Sequence, residues 1–352
     1  MRILPSSISR FQEGHRARSI AGAQSQPHTA GQPDRAGSWT LPLAQRRASH
    51  ERVPAAHPPH ATSPRVYVFA DSIAFGRELS RHLQVKWTRI DVHRFPDGES
   101  LVRVRAPVVR HAIVVRSLND PNVKLVETVL AADALRRAGS RRVTLVAPYL
   151  PYMRQDKVFV RGEPISQRVI GTWLGRSFDA VYTIEAHLHR VRQLAAVVPG
   201  RARSLSAAPA LADWLRRQRR VLVVGPDGES RPWIKAIAGT ANLPWIVCDK
   251  HRLGDRSVRV QLPALPDCRQ AVIVDDIASS GATLAAVARS LRRSGFQTVD
   301  AIVVHALFGR GAEARIRRAG VRRLLSCDTI AHHTNAIHTA GLLAPVLQRL
   351  RW

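Results

Sequence analysis

The sequence predicts an α/β protein of two domains, each a mostly parallel sheet flanked by helices, behind a disordered N-terminal extension. Short β-branched apolar runs recur along residues 65–307, and amphipathic stretches separate many of them. Composition changes abruptly near residue 65. Alternation of this kind implies parallel strands joined by crossover helices.

The runs follow one another in order. RVYVFA occupies 65–70, AIVVRS 112–117, RVTLVAPY 142–149 and AVYTIE 180–185. VLVVGPD (221–227), PWIVCD (244–249), AVIVDD (271–276) and TVDAIVVHAL (298–307) continue the series. Helical spacing is clearest in NVKLVETVLAADALRRAG (122–139) and GATLAAVARSLRRSG (281–295). Eight such runs fit two domains better than one. PGRARSLSAA (199–208) breaks the pattern, so the boundary is expected there, giving domains 65–205 and 206–352. Residues 1–64 hold eight of the 22 prolines and no lysine. They bury too little apolar surface to offset their ordering entropy, and read as a disordered extension or an upstream start. Arg-rich and acid-poor, they resemble a transit peptide but lack an amphipathic run.

Charge excludes less than it suggests. Lys and Arg number 54 against 26 Asp and Glu, a net charge of +28. Five of the cations are lysines and the other 49 are arginines dispersed along nearly every segment. Aromatics make up 5%, and no helix-turn-helix, RNP or zinc-finger spacing occurs, so nucleic acid is not an expected partner. No run of eighteen apolar residues or secretory leader appears, so no membrane partner is expected either. Cys248, Cys268 and Cys327 are dispersed and odd in number, which fits a reducing compartment, and the cytoplasm is the expected location.

The strongest local signal is AVIVDDIASSGATLAAVARSL (271–291). A buried strand ends in Asp275 and Asp276, and Ser279, Ser280, Gly281, Ala282 and Thr283 then open a helix. Small residues let backbone N–H groups approach a phosphate, and a helix N-terminus adds a positive dipole end. The upstream carboxylates accept hydrogen bonds from vicinal hydroxyls, so a sugar phosphate suits the site. A Walker-type GxxxxGK[ST] loop is absent, as is GxGxxG. The bland alternative is a strand–turn–helix with two solvent-facing aspartates.

Further segments add chemistry. RFPDGESLVRV (94–104) places Phe95, Asp97 and Glu99 on a Pro-Asp-Gly turn, where a ring beside two acceptors suits a purine and its exocyclic amine; alone it is also a plain hairpin turn. Arg154 and Gln155 begin RQDK after a strand: a guanidinium fork for phosphate and an amide for a base edge, or simply a solvated loop. Asp227 in GPDGES ends a parallel strand, where open α/β sheets bind ligands. Lys250 and Arg252 fall on a Gly-containing loop in DKHRLGD, as cations for a transferring phosphoryl group.

In combination these segments resemble the PRPP synthetase (ribose-phosphate diphosphokinase) family, in its archaeal-like branch. The 271–284 stretch alone resembles type I phosphoribosyltransferases equally well. The resemblance implies two duplicated phosphoribosyltransferase-like domains and transfer of pyrophosphate from ATP to ribose 5-phosphate. It assigns Phe95, Asp97, Glu99, Arg154 and Gln155 to ATP. Arg252, Asp275, Asp276 and residues 279–283 fall to ribose 5-phosphate, Lys250 and Arg252 to catalysis, and His187 and Asp227 to Mg²⁺. It also implies a homo-oligomer, dimer or larger, with ATP contacts shared between subunits. Glu185 stands where the family usually has Asp or Asn, and His189 competes with His187 as ligand. AHHTNAIHTAG (331–341) has no counterpart and, lacking an acid or Cys at metal spacing, reads as a solvated linker. The alternatives are a PRPP-consuming transferase and a non-catalytic regulatory relative.

Overall fold

In a computed structural model the described residues are 63–350, apart from Ala106, His189, Arg219 and residues 253–257. The expectations for the extension and for His189 lie outside them, as do the side chains of Lys250 and Arg252.

The first sheet starts with β1 (Arg65–Phe69), which leads into α1 (Ile73–Leu83). A hairpin follows, β2 (Trp87–Arg94) and β3 (Ser100–Val104), then β4 (His111–Val115) and α2 (Pro121–Arg137). Next come β5 (Arg142–Ala147), α3 (Ser166–Ser177), β6 (Ala180–Ile184) and β7 (Arg201–Leu205). Its strand order is β3-β2-β1-β4-β5-β6-β7, parallel except for the β2–β3 pair. β7 falls inside the stretch expected to be a pattern-breaking boundary, which is thus partly strand. It was hidden because RARSL is a half-exposed edge strand with arginines in place of an apolar run.

The second sheet is preceded by α4 (Ala208–Leu215) and begins with β8 (Val221–Gly225), α5 (Arg231–Ala241) and β9 (Trp245–Val247). β10 (Asp249–Arg252) and β11 (Val258–Gln261) form a separate antiparallel ribbon. Then follow β12 (Gln270–Ala278), α6 (Ala282–Arg293), β13 (Thr298–Ala306), α7 (Ala312–Arg318), β14 (Val321–Cys327), β15 (Asn335–Ile337) and α8 (Ala340–Gln348). The order is β15-β14-β13-β12-β8-β9, parallel throughout.

Alternation along the buried strands splits each sheet between two cores. Tyr67, Val114 and Leu145 face one core, and Leu222, Ile273 and Val303 face another. Val66, Val68 and Ile113 of the first sheet join Val223, Val272 and Ile302 of the second in a third. Helices α1, α4, α5 and α8 fill that shared layer through residues such as Leu79, Leu211, Ile237 and Leu343. No described helix is long and apolar enough to cross a membrane.

The reading of 331–341 as a solvated linker is corrected. Residues 335–337 are the edge strand β15, and Thr334, Ile337, Thr339 and Ala340 are buried. Asn335 anchors the turn: its amide donates to Ser326 Oγ (2.9 Å) and to the Cys327 carbonyl (2.7 Å). Polar side chains meet buried backbone here, so no apolar periodicity marked the segment.

Candidate active site

Parallel sheets gather their functional side chains at the carboxyl ends of the strands. Here the ends of β6, β8 and β12 surround a cavity of about 240 Å³ lined by Glu185, His187, Asp227, Glu229, Asp275 and Asp276, among others. Residues expected from three separate segments thus meet at one place. His187 comes from the first sheet and the aspartates from the second.

His187 Nδ1 hydrogen-bonds the Asp276 carboxylate. With Nδ1–H donating, the Nε2 lone pair defines the tautomer, as in carboxylate-oriented metal-binding imidazoles. Burial would raise the Asp276 carboxyl, but the hydrogen bond from His187 helps hold it below the usual range. Asp276 thus also orients the imidazole, an engagement the sequence did not show. Asp275 Oδ1 receives the Asp276 backbone N–H at 3.0 Å.

Glu185 stands in left-handed backbone (φ 41°) just past β6. Its Oε2 accepts from Ser206 Oγ (2.9 Å), the Ala207 N–H (2.7 Å) and Trp233 Nε1 (3.0 Å). Burial raises its carboxyl against those three donors. The departure seen in sequence is therefore a brace tying the end of β6 to α4 and α5.

Sequence reasoning missed His305, at the buried end of β13. Its Nε2–H donates to the Glu185 carbonyl at 3.1 Å, and Nδ1 lies 2.9 Å from the Thr329 hydroxyl. Burial pushes its pKa down to about 4, against the Glu185 hydrogen bond and the Asp276 charge. The unfolded imidazole binds a proton first, so this group costs stability progressively as pH falls from about 6.5 toward the folded value. We expect the His305 NMR signals to stay at neutral-imidazole positions from about pH 8 to about pH 5.5. A titration centred near pH 6.5 would contradict its burial. An apolar strand context gave no cue to this histidine.

After β12 the chain turns through Ser279, Ser280 and Gly281 into α6. Gly281 is the N-cap, at φ 70°, and a Cβ there would lie 2.8 Å from Ile316 Cδ1 and 3.1 Å from the Ala312 carbonyl, so only glycine fits. The Ser280 hydroxyl accepts the Ala282 N–H at 3.3 Å. Two contacts from the β13–α7 region hold the loop: the Gly309 N–H to Ser279 O (2.9 Å) and Arg315 Nη1 to Ser280 O (2.7 Å). Ser279 and Ser280 are exposed, while Ala282 and Thr283 are half-buried. Gly225 serves Asp227 in a similar way, because a Cβ there would lie 2.4 Å from Ser230 Oγ. That hydroxyl donates to the Asp227 carbonyl at 2.6 Å, closing the turn.

Lys250 and Arg252 lie on strand β10 and not on a loop, registered opposite Val260 and Val258. A ribbon satisfies backbone groups that an open loop would leave to water. The ribbon starts just past β9, where the Cys248 N–H donates to the Gly225 carbonyl at 2.9 Å.

The remaining expected residues lie elsewhere. Phe95, Asp97 and Glu99 form an exposed β2–β3 turn closed by Phe95 N–H to Glu99 O (2.8 Å) and Glu99 N–H to Asp97 Oδ1 (3.1 Å). None of the three lines the cavity. Glu127 of α2 holds both ends of that turn, accepting from Arg94 Nε (3.2 Å) and Ser100 Oγ (2.8 Å). Arg154 is exposed and its charge acts on His305. Gln155 Oε1 receives the Ser166 hydroxyl at 2.6 Å, so its amide group is already oriented.

Comparisons with known proteins identify relatives of both halves of the chain. Residues 65–177 match the N-terminal domain of ribose phosphate pyrophosphokinase, and 202–340 match the phosphoribosyl transferase domain. A ribose-phosphate pyrophosphokinase of Pyrococcus abyssi is 33% identical over 264 residues, 74% of this chain and 90% of the relative. Another, from Methanopyrus kandleri, is 29% identical over 290 residues, 81% of this chain and 99% of the relative. The crystal structure of phosphoribosylpyrophosphate synthetase from Mycobacterium smegmatis superposes with a TM-score of 0.70 at 24% identity, covering 82% of this chain and 98% of that one. With both halves matched in order and a curated relative aligned over nine-tenths of its length, the chain belongs to the ribose-phosphate pyrophosphokinase family.

Proposed function

We propose that the chain transfers the diphosphoryl group of ATP to the anomeric hydroxyl of ribose 5-phosphate, giving PRPP and AMP. The observation that carries this reading is the cavity uniting His187, Asp227, Asp275 and Asp276, with the hydroxyl-rich 279–283 turn following directly on the same strand. In this reading the 279–283 amides and hydroxyls hold the 5-phosphate at the α6 N-terminus, and Asp275 orients the sugar hydroxyls. The anomeric oxygen attacks the β-phosphorus, the bond from that phosphorus to the α-side bridging oxygen breaks, and AMP leaves. Lys250 and Arg252 neutralise the charge gathering on the group in transit.

The donor set fits Mg²⁺: carboxylates of Asp227 and neighbouring Glu229 share the cavity with an imidazole already oriented by Asp276. His187 and Asp227 would hold the ion, which supplies positive charge to the ATP phosphates. Phe95, Asp97 and Glu99, with Arg154 and Gln155, receive the adenine side of ATP. Because the 95–99 turn is outside the cavity lining, the reading includes a homo-oligomer in which another copy completes the ATP site. An exposed apolar stripe on α2, Val123, Val126 and Leu130 at helical spacing, supports such an interface. Cytoplasmic residence completes the proposal, in keeping with free Cys248, Cys268 and Cys327.

The test is direct. Purified chain given ATP, Mg²⁺ and ribose 5-phosphate is expected to release AMP and PRPP in equal amounts, and to stop when the metal is chelated. PRPP consumption with added purine or pyrimidine bases, and no AMP from ATP, would favour the transferase. Inertness under every divalent ion would favour a regulatory relative.

A further inference from the structure

The histidines of 331–341 lacked an acidic partner in sequence, and α7 supplies one. His333 Nε2 lies 2.9 Å from Glu313 Oε2, and His332 Nε2 lies 3.5 Å from Oε1. One ligand atom from each of the three residues lies within 4.8 Å of the others. Tetrahedral coordination with bonds of about 2.0–2.1 Å spaces neighbouring donors roughly 3.3 Å apart, so small side-chain rotations suffice. The backbone beneath is already fixed, since the His332 N–H donates to Asn335 Oδ1 at 2.9 Å. His332 Nδ1 lies 2.8 Å from the Thr334 hydroxyl, which in turn meets Ser326 Oγ at 2.7 Å. The Thr334 N–H also donates to His332 Nδ1 at 3.3 Å, so ligation through Nε2 would go with a tautomer exchange in which Nδ1–H donates to the Thr334 hydroxyl.

We propose that Glu313, His332 and His333 form a binding site for one zinc-class cation, completed by water and separate from the catalytic cavity. Two imidazoles and one carboxylate suit Zn²⁺, whereas Mg²⁺ is held mostly by water and carboxylate oxygens, so a site with two imidazoles favours the zinc-class ion. The second His–acid cluster, Glu78, Asp328 and His338, is different in kind. It offers one imidazole between two carboxylates, and Asp328 Oδ1 already accepts the Thr339 N–H (2.9 Å) and hydroxyl (2.6 Å). His338 Nδ1 already lies 3.0 Å from Glu78 Oε2 and 3.3 Å from Asp328 Oδ2, contacts that account for the cluster without a metal. At the proposed site the cation would tie the 331–334 turn to α7, the helix whose Arg315 also holds the 279–283 loop.

Untagged, full-length chain, stripped with chelator, is titrated with ZnCl₂ against a chromophoric chelator in excess Mg²⁺. One tightly bound equivalent is expected. His333→Ala and Glu313→Gln should each weaken it at least about tenfold, and His338→Ala should leave it unchanged. Circular dichroism of the metal-free variants checks folding; His333 is 68% exposed, so its replacement leaves the core intact. Absence of a tight equivalent, wild-type affinity in either ligand variant, or loss in His338→Ala would each overturn the site.

Discussion

Alanine in place of Lys250 is expected to lower kcat by about 10²–10³-fold, the usual cost of losing one preorganised group that meets charge only in the transition state. KM for either substrate should change far less in the proposed mechanism, where the cation acts on a group in transit. The melting temperature should hold: a two-stranded ribbon is marginally stable by itself and adds little to the core. Arg252→Ala should behave similarly, and the double variant should lose less than the product of the two effects, as groups acting on the same charge do. Wild-type turnover in Lys250→Ala, measured as AMP release, would remove the ribbon from the mechanism.

Glu127→Ala is expected to destabilise the fold by about 3 kcal/mol, near the lower end for breaking a buried ion pair. The Glu127 side chain is 0% exposed, and its Oε2 lies 2.7 Å from Arg116 Nη2, whose own side chain is 5% exposed. Alanine would strand that guanidinium beside Phe69, over whose ring it lies 4.0 Å from the centroid. Asp71, 3.2 Å from Arg116 Nε, stays as a partial partner and limits the loss. The same carboxylate holds Arg94 and Ser100, so KM for ATP should rise together with the fall in stability. Burial would raise the Glu127 carboxyl, but Ser100, Arg116 and Arg94 outweigh it and keep it below its ordinary value. A depressed carboxylate stabilises the fold above its unfolded pKa and loses that contribution as pH falls through the folded one. The gap between wild type and variant should therefore narrow below about pH 4. Chemical denaturation at neutral and acid pH reads this out, and a gap that grew on acidification would refute the assignment.

The parallel-strand runs were legible because burial on both faces writes itself as uninterrupted Val, Ile and Leu, as in VLVV and AVIV. Edge strands β7 and β15 were not, since a half-solvated edge needs no such run. Sequence identified the residues on the cavity's strand ends, His187, Asp227, Asp275 and Asp276, but not who engages whom. That Asp276 would be taken up by His187, and Glu185 by Ser206, Ala207 and Trp233, depends on two sheets meeting. Glu313 and His333, 2.9 Å apart but twenty positions distant in the chain, were invisible for the same reason. His305 was missed because an isolated polar letter in TVDAIVVHAL carries no signal of its partners.

The core shared by the two sheets has an evolutionary corollary. Val66 and Ile113 on one side and Val223 and Ile302 on the other belong to a single apolar body, with α1 and α8 packed inside it. Swapping one half for that of a distant cousin would therefore be more than a graft at a linker. A working chimera has to inherit matched surfaces on both sheets, and a Glu185 that still finds Ser206, Ala207 and Trp233 across the seam. Descent of the halves is thereby coupled, and they are expected to drift as a pair.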